Sequence, residues 1–535
     1  MTTLGARTRR PYAGAGAMLR FQLQRQAVSI LLWALTIGTL VGYQSWGSQS
    51  LYGPEALAGL RRTMGGNAAV VASSGPPELL DSIGGEVVFE IYSYVAVAVA
   101  LMTMFVVTRA TRVEEETGRA ELLTSMPAGR HAALGTALAC AAVASAAVAA
   151  AVLVAAVVTG LPWAGSILLA ASVVGVGVVF AALTAVAVQL VDTAAGARGI
   201  VVAGVLLAYA LRAVGDVTGN GVSFASPIGW GQQTLPFVSD RWWPLALPML
   251  LGAALVAVAV TLAGRRDLGS GVIAHRRGRT SAASSLKSPL GLAIRLRRGL
   301  VLAWAATVFA LGAAYGSFAD SIDEFLADNP DIADFLPRGA ESATDAYLAT
   351  TLTLLAVLAS AHGVVSVLRS AHEERDGLVD VVLTAPSGRA RSLGAAAAVA
   401  FGGSAAVLAA GGLGEGLAYG WVRGDASRLP ATVAAALSYL PAVSILVAAA
   451  VLAVGASRTW AAAAAWTLFA YSAIATVFGD SFRLPDWSTV ASPFDHLPQV
   501  PLESTNVPSM AVGLAVAAFL TTIGVALFCR RDIGR

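Results

Sequence analysis

Cysteine, histidine and charge are scarce in this chain, and each scarcity excludes a class of function. The two cysteines, Cys140 and Cys529, lie in or beside apolar stretches, so the sequence contains no disulfide framework and no CxxC-type metal site. The five histidines are scattered, without the HExxH spacing that places two metal ligands on one helix face. Only 13% of the residues are charged and the net charge is +3, which excludes a soluble globular protein and argues against nucleic acid as a partner.

Lysine occurs once in 535 residues, as Lys287. A P-loop that binds ATP phosphates requires the pattern GxxxxGK[ST], and Leu286 stands where its second glycine should be. We therefore predict that the chain binds no nucleotide in the Walker manner, holds no cofactor of its own and is not an enzyme. Any dependence on ATP must come from another chain.

Long apolar runs dominate the composition, with 56% hydrophobic residues and a mean hydropathy of +0.71. Because about 20 residues at ~1.5 Å rise cross a hydrocarbon core of about 30 Å, apolar runs of that length predict transmembrane helices. Twelve such runs predict an all-α integral membrane protein. Their approximate ranges are 27–46, 88–108, 133–158, 166–190, 199–215, 243–263, 298–318, 346–368, 393–419, 430–456, 459–478 and 509–528.

Positive charge falls mainly on one side of the twelve predicted spans. With the basic amino terminus placed in the cytoplasm, 27 of the 35 Lys and Arg residues lie in cytoplasmic segments, seven lie outside and one lies within a span. Short cytoplasmic segments retain positive charge during insertion. The distribution therefore predicts a multi-pass protein with both termini in the cytoplasm, surrounded by membrane lipid.

The sequence repeats itself at an offset of about 260 residues. Glu114-Glu115 recurs as Glu373-Glu374 at an offset of 259, and Arg265-Arg266 recurs as Arg530-Arg531 at an offset of 265. Each copy holds six predicted spans, an even number, so we expect two parallel six-helix halves. The predicted organisation is a first half over residues 1–269, a cytoplasmic linker over 270–289 and a second half over 290–535.

A short polar segment follows the second and the eighth predicted spans and carries the pattern ExxGxx[ED]xxxxxPxGR in both copies. Acids at its amino-terminal end and apolar residues at helical spacing before the proline predict a short amphipathic helix on the cytoplasmic face. A solvated juxtamembrane turn is the alternative, but two copies at equivalent positions favour the docking of a symmetric partner. The pattern residues are Glu115, Gly118, Glu121, Leu122, Pro127 and Arg130 in the first copy and Glu374, Gly377, Asp380, Val381, Pro386 and Arg389 in the second.

Few ionisable residues fall within the predicted spans. Each costs about 2.5–3.5 kcal/mol at the bilayer centre on insertion scales, so each needs a partner or a wet cavity. Arg212 and Asp216 are four residues apart and can pair on one helix, which leaves a structural and a transport-path role both open. Glu90 and Glu415 are candidates for lining a transport path or contacting a cationic substrate. Both could instead lie at the interface between membrane and water. Asp480 corresponds to Asp216 in the second copy and lacks an upstream arginine.

The duplication and the pattern from Glu115 to Arg130 and from Glu374 to Arg389 resemble the membrane subunits of ABC-2-type exporters, in particular the fused twelve-span permeases of actinobacterial, tetronasin-resistance-like antibiotic exporters. The resemblance covers nearly the whole chain. It implies a permease of the bacterial plasma membrane that moves hydrophobic or amphipathic compounds, such as antibiotics, out of the cell. It also implies a separate cytoplasmic ABC ATPase, in two copies, that binds ATP and Mg and docks on the two pattern segments.

Two other classes of protein stay open on the sequence. An ion-coupled secondary transporter can share the 6+6 architecture, but it needs a coupling-ion site, and the sequence shows no Asp/Glu/His relay within the spans. A lipid-binding membrane enzyme or signalling component needs convergent polar residues at one membrane face, and the sequence shows no such set. Co-purification with an ATPase distinguishes the exporter from both.

Overall fold

A computed structural model describes residues 11–66, 68–119, 129–266, 269–273, 280–319, 343–378, 384, 388–424, 426–478 and 490–531. The regular structure of these residues is helical throughout, and no strand occurs among them. The chain divides into two compact units, Met1–Gly278 and Arg279–Arg535.

The first unit is built on two buried helices. Its described helices are α1 (Ala15–Leu51), α2 (Pro54–Thr63), α3 (Ala68–Ser73), α4 (Ile83–Ala110), α5 (Arg112–Glu116), α6 (Ala132–Val158), α7 (Trp163–Leu190), α8 (Ala194–Thr218), α9 (Pro227–Gln232) and α10 (Ala246–Ala263). In α4 and α7 most of the apolar span is buried within the unit, whereas α10 is largely exposed. Helices that are apolar all round can serve in either place, because lipid and a protein core both exclude water.

The second unit has the corresponding arrangement. Its described helices are α11 (Pro289–Phe318), α12 (Ala343–Arg375), α13 (Arg389–Arg423), α14 (Leu429–Ser438), α15 (Leu440–Ala456), α16 (Ala461–Phe478) and α17 (Val507–Arg530). Here α12 is the most buried span, and α11 and α17 are largely exposed. Lys287, the only lysine of the chain, is exposed in a short 3₁₀ turn that precedes α11.

Glycines set the close packing of α11 on α13. A Cβ atom at Gly312 would overlap the Gly411 carbonyl, and one at Gly316 would overlap the Glu415 carbonyl. Small residues allow the two backbones to approach each other, as is common between membrane helices. The glycines of α13 that precede Glu415 therefore serve helix packing.

The described residues contain eleven helices that are long and apolar enough to cross a membrane. This confirms the predicted all-α, multi-span membrane protein. A shorter apolar helix, Ala461–Val477, lies where the eleventh of the twelve spans is predicted, so the count of twelve stays a prediction. The tenth predicted span consists of α14 and α15, which meet at Tyr439 just before Pro441, a residue that lacks a backbone N–H.

Candidate functional site

In the first unit, the pattern residue Glu115 is held by two arginines. Its carboxylate accepts hydrogen bonds from Arg112 Nη1 at 2.6 Å and from Arg266 Nη2 at 2.5 Å. The Glu115 and Arg266 side chains are each only 11% exposed. Because Arg266 follows the last helix of the unit, the pair fixes the chain beyond α10 to the end of α5.

The second unit repeats this contact. Arg531 Nη2 donates to Glu374 Oε2 at 2.7 Å, and the Glu374 side chain is 1% exposed. Glu374 corresponds to Glu115 at an offset of 259, and Arg531 corresponds to Arg266 at an offset of 265. The same ion pair therefore occurs at the equivalent position of each repeat.

The preceding glutamate of each pair contacts the first helix of its unit. Arg25 of α1 donates to Glu114 at 2.6 Å, and Arg297 of α11 donates to Glu373 at 3.2 Å. Two adjacent glutamates thus connect the first and the last membrane helix of a unit. We call these contacts the glutamate clamp; its members are Glu114, Glu115, Arg25 and Arg266 in the first unit and Glu373, Glu374, Arg297 and Arg531 in the second.

A glycine in the left-handed conformation ends the helix directly after each clamp. Gly118 has a φ of +72° and Gly377 a φ of +71°. Each glycine N–H donates to the carbonyl of the clamp glutamate three residues earlier, and both distances are 3.1 Å. Left-handed glycine is a common way of satisfying carbonyl groups at a helix end. The glycine of the pattern is therefore needed for the turn that leads into the rest of the segment.

The arginine that closes the pattern contacts the last helix of its unit in both copies. Arg130 donates to the Gly264 carbonyl, and Arg389 donates to the Cys529 carbonyl at 3.4 Å and to the Arg531 carbonyl at 2.9 Å. Gly264 and Cys529 are equivalent positions of the repeat. A cation at the carboxyl end of a helix is favoured by the unpaired carbonyls there. The beginning and the end of each pattern segment are thus anchored to the same helix end.

Several predicted residues lie outside the part of the chain that the structure describes. The apolar part of the predicted amphipathic helix, with its closing proline, falls on residues 120–128 in the first copy and mainly on 379–387 in the second. These undescribed residues include Glu121, Leu122, Pro127, Asp380, Val381 and Pro386, together with Asp480.

Arg212 of α8 is fully buried and bonded on several sides. It lies 3.7 Å from Asp216, donates to the Ala72 carbonyl at 2.6 Å and has its guanidinium 4.5 Å from the centre of the Tyr209 ring. Asp216 also accepts a hydrogen bond from Ser223 at 2.6 Å. These contacts attach the short helix α3 to α8, so of the two roles left open by the sequence they favour the structural one.

The two other predicted carboxyl groups lie in different surroundings. Glu90 of α4 is partly exposed and accepts a hydrogen bond from Gln44 of α1. Glu415 of α13 is fully buried and accepts a hydrogen bond from Thr351 at 2.7 Å. One group that the sequence analysis missed is Glu86, which lies one turn before Glu90 and is 1% exposed.

The four arginines of the glutamate clamp were not predicted to be site residues. Arg266 and Arg531 were recognised as repeat anchors, and that recurrence was the signal that could have identified them. Arg25 and Arg297 gave no such signal, because the helices that carry them were recognised from apolar runs that begin after both residues. Pairing over such sequence distances depends on the tertiary fold.

The multi-span helical fold and the ion pairs at equivalent helix ends define an integral membrane protein made of two repeated units. A family model for the C-terminal domain of the multidrug efflux system permease Rv1217c matches residues 286–529. The whole chain is 34% identical to the multidrug efflux system permease protein Rv1217c of Mycobacterium tuberculosis, over 98% of this chain and 97% of that protein. The chain therefore belongs to the Rv1217c family of efflux system permeases.

Proposed function

We propose that this chain is the permease subunit of an ABC exporter of the ABC-2 type, which moves hydrophobic or amphipathic compounds, antibiotics among them, out of the bacterial cell. A separate cytoplasmic ATPase, bound in two copies, supplies the energy from ATP and Mg. The observation that carries the proposal is the glutamate clamp, which occurs once in each unit at the beginning of the pattern segment. The Rv1217c relative is a multidrug efflux system permease, which supports the same direction of transport and the same class of cargo.

The clamp offers a route for mechanical coupling. A partner that moves the pattern segment also pulls on Glu114 and Glu115, and through Arg25 and Arg266 it pulls on the first and last helices of the unit. Ion pairs with short hydrogen bonds transmit such displacements because their geometry is restrictive. ATP binding and product release on the partner would then bias each unit between two arrangements. The positive-inside distribution of charge supports a cytoplasmic position for this end of the helices.

Two pattern segments on one chain fit a partner with twofold symmetry. Each repeat has the same glycine turn before the segment and the same arginine contact after it. Residues 120–128 and their counterparts in the second repeat are therefore attached to equivalent positions of the two units. A symmetric ATPase dimer requires two equivalent contacts, one per subunit. The predicted docking residues within these segments are Glu121 and Asp380.

Co-expression with candidate ATPases tests the proposal. We expect an ATPase to co-purify with the chain and its hydrolysis to rise when cargo is added. In the Glu121→Ala/Asp380→Ala variant, hydrolysis should no longer respond to cargo, while the amount of inserted permease is unchanged. Asp495→Asn, an exposed acid in the connection between α16 and α17, is the matched control and should behave as wild type.

Energy depletion separates the exporter from an ion-coupled carrier. Efflux by the co-expressed complex should stop when cellular ATP is exhausted while the proton gradient is maintained, and it should persist when an ionophore removes the gradient but ATP stays high. The reverse pattern, or the failure of every ATPase to bind, would exclude the ABC exporter.

A further inference from the structure

Two arginines of the first unit lie together where two packed helices meet. Arg198, in the second turn of α8, donates to the Thr108 hydroxyl of α4 at 3.4 Å, and its guanidinium lies 5.5 Å from the centre of the Phe105 ring. Arg109 lies in the last turn of α4 and is close enough to Arg198 for the two charges to repel each other. The fold therefore holds two positive side chains together at one end of α4.

Neither arginine has an acidic partner among the described residues. No ion pair joins either of them to a carboxylate there, and the long bond to Thr108 is the only hydrogen bond that Arg198 makes. One acid, Glu116, lies within electrostatic reach of Arg198, but its carboxylate accepts a hydrogen bond from the Ala194 N–H at 2.7 Å. An anion bound between the two guanidinium groups would relieve their repulsion and use their free donors.

An exposed apolar strip leads away from the two arginines along both helices. In the second half of α4 the accessible side chains recur every three or four residues, so they form one line on a helix that is otherwise buried. In α8, Val202 and Leu206 follow Arg198 at the same spacing, and both are exposed. The accessible residues of α4 from position 94 onwards are Tyr94, Val97, Ala98, Leu101, Phe105 and Arg109.

The strip has the length of a lipid chain in one leaflet. Half of a hydrocarbon core of about 30 Å is about 15 Å, and the eight residues from Arg198 to Leu206 rise about 12 Å along α8. Guanidinium groups bind phosphate oxygens in a planar, two-point geometry. A phosphate held by the arginines therefore places an acyl chain on the apolar strip. A headgroup with a net negative charge fits best, because a zwitterionic headgroup brings a further cation towards the two arginines.

We propose that Arg109 and Arg198 bind the phosphate of an anionic phospholipid whose acyl chains lie along Phe105 and Leu206. The positive-inside distribution of charge supports a position in the cytoplasmic leaflet. Arg109 precedes Arg112, which binds Glu115 of the glutamate clamp, by three residues. The bound lipid thus holds the end of α4 that leads into the clamp. The site does not depend on the proposed export function.

The second unit has no equivalent site. At the offset of 259, the position that matches Arg109 is Leu368 and the position that matches Phe105 is Val364, and both of these residues are buried. The chain should therefore bind one anionic lipid of this kind, despite its internal duplication.

Lipid binding to the purified full-length chain in detergent tests the site. Native mass spectrometry counts the bound lipids as dioleoylphosphatidylglycerol is added, with dioleoylphosphatidylcholine as the zwitterionic comparison. We expect one tightly bound phosphatidylglycerol per chain and weaker binding of phosphatidylcholine. Affinity for phosphatidylglycerol should fall at least about tenfold in Arg109→Gln/Arg198→Gln, because the phosphate loses both charged donors. Phe105→Ala should also weaken binding, because it shortens the apolar strip.

Two further variants separate the site from net charge and from misfolding. Arg20→Gln/Arg265→Gln removes two other exposed arginines of the same unit and should bind phosphatidylglycerol as wild type does. Arg109→Gln alone removes an exposed side chain that makes no hydrogen bond or ion pair with a described residue, so its melting temperature in lipid-free detergent should match that of wild type. Its affinity for phosphatidylglycerol should still fall at least about threefold.

Four results would overturn the lipid site. They are unchanged phosphatidylglycerol affinity in the Arg109 and Arg198 variants, an equal loss in Arg20→Gln/Arg265→Gln, equal affinity for phosphatidylcholine, and displacement of the lipid by millimolar inorganic phosphate, which would indicate a site for the free anion. Binding is measured on the chain alone, without ATP or cargo. Failure of the site therefore leaves the proposed exporter standing, and failure of every ATPase to bind leaves the lipid site standing.

Discussion

Arg531 and Glu374 are 157 residues apart in the chain and 2.7 Å apart in the folded second unit. The carboxylate is almost fully enclosed, while the guanidinium is 17% exposed. Removal of the arginine therefore leaves a buried charge, and removal of the glutamate leaves a charge that water can reach.

We expect Arg531→Ala to destabilise the protein more than Glu374→Ala does. A buried carboxylate without its partner costs about 3–5 kcal/mol, whereas a hydrated arginine without its partner costs about 1–3 kcal/mol. The double variant should lose less than the sum of the two single losses, because one interaction accounts for both. Thermal unfolding of the purified variants gives the comparison.

Arg530→Ala is the matched control for this series. Arg530 is the exposed neighbour of Arg531 and the last residue of α17, so its removal should leave the unfolding temperature almost unchanged. Strict additivity in the double variant would show that the ion pair contributes nothing to the stability of the unit.

Gly377→Ala should destabilise the turn after the clamp by about 1–2 kcal/mol, the penalty for placing a side chain in the left-handed region. A Cβ atom there meets nothing within 4 Å, so the effect is conformational and not steric. Gly377→Asn should retain most of the stability, because asparagine tolerates this conformation. Gly388→Ala is the control, since Gly388 has a φ of −64° and equally open surroundings. Equal melting temperatures for the two alanine variants would contradict the assigned role of the turn.

Arg212→Ala should destabilise the first unit by about 3–5 kcal/mol, because it leaves the Asp216 side chain buried without a cation and frees the α3 carbonyls that the guanidinium binds. Arg212→Lys should recover only part of this loss, since an ammonium lacks the planar fork that reaches a carbonyl and a carboxylate together. Arg241→Ala, at an exposed arginine of the same unit, serves as the control. The measurement is the unfolding temperature in detergent. A melting temperature for Arg212→Ala equal to that of the control would disprove the structural role.

Gly316→Ala should push α11 away from α13, since its Cβ atom would overlap the backbone carbonyl of Glu415. Backbone cannot move aside as a flexible side chain can, so we expect a loss of several kcal/mol and a lower yield of folded protein. Gly299→Ala, on the same helix with nothing within 4 Å of its Cβ atom, should be neutral or slightly stabilising. Size-exclusion profiles and melting temperatures report the difference. Normal folding of the Gly316 variant would show that the two helices are not held at this distance.

The spans were predictable because the length of an apolar run is a local property. The prediction was less accurate at helix ends. The first span was placed over 27–46, whereas α1 begins at Ala15, since Arg20, Gln22 and Arg25 interrupt the apolar run. Gln22 is nevertheless buried and Arg25 is paired with Glu114. The helix extends through these polar residues because tertiary contacts bury or pair their side chains, which the apolar pattern of the sequence does not show.

The candidate site was predictable in its repeating pattern and not in its contacts. Glycine at positions 118 and 377 is a local requirement of the turn, which accounts for its recurrence in both copies, whereas the docking role expected of the two residues stays a prediction. Glu115 and Glu374 were predicted to meet a partner, and the structure shows each in an ion pair with an arginine more than 150 residues away. No local signal specifies such a pairing, because it exists only after the last helix has packed.

Lys287 gives the chain a single exposed site for cleavage by a lysine-specific protease. It lies exposed just before α11, near the boundary of the two compact units. A lysine-specific protease has one cleavage site in this sequence and would divide it into residues 1–287 and 288–535. The native polypeptide can thus be severed at one peptide bond without any engineering, and the fragments can be assayed for whether they still associate and retain cargo.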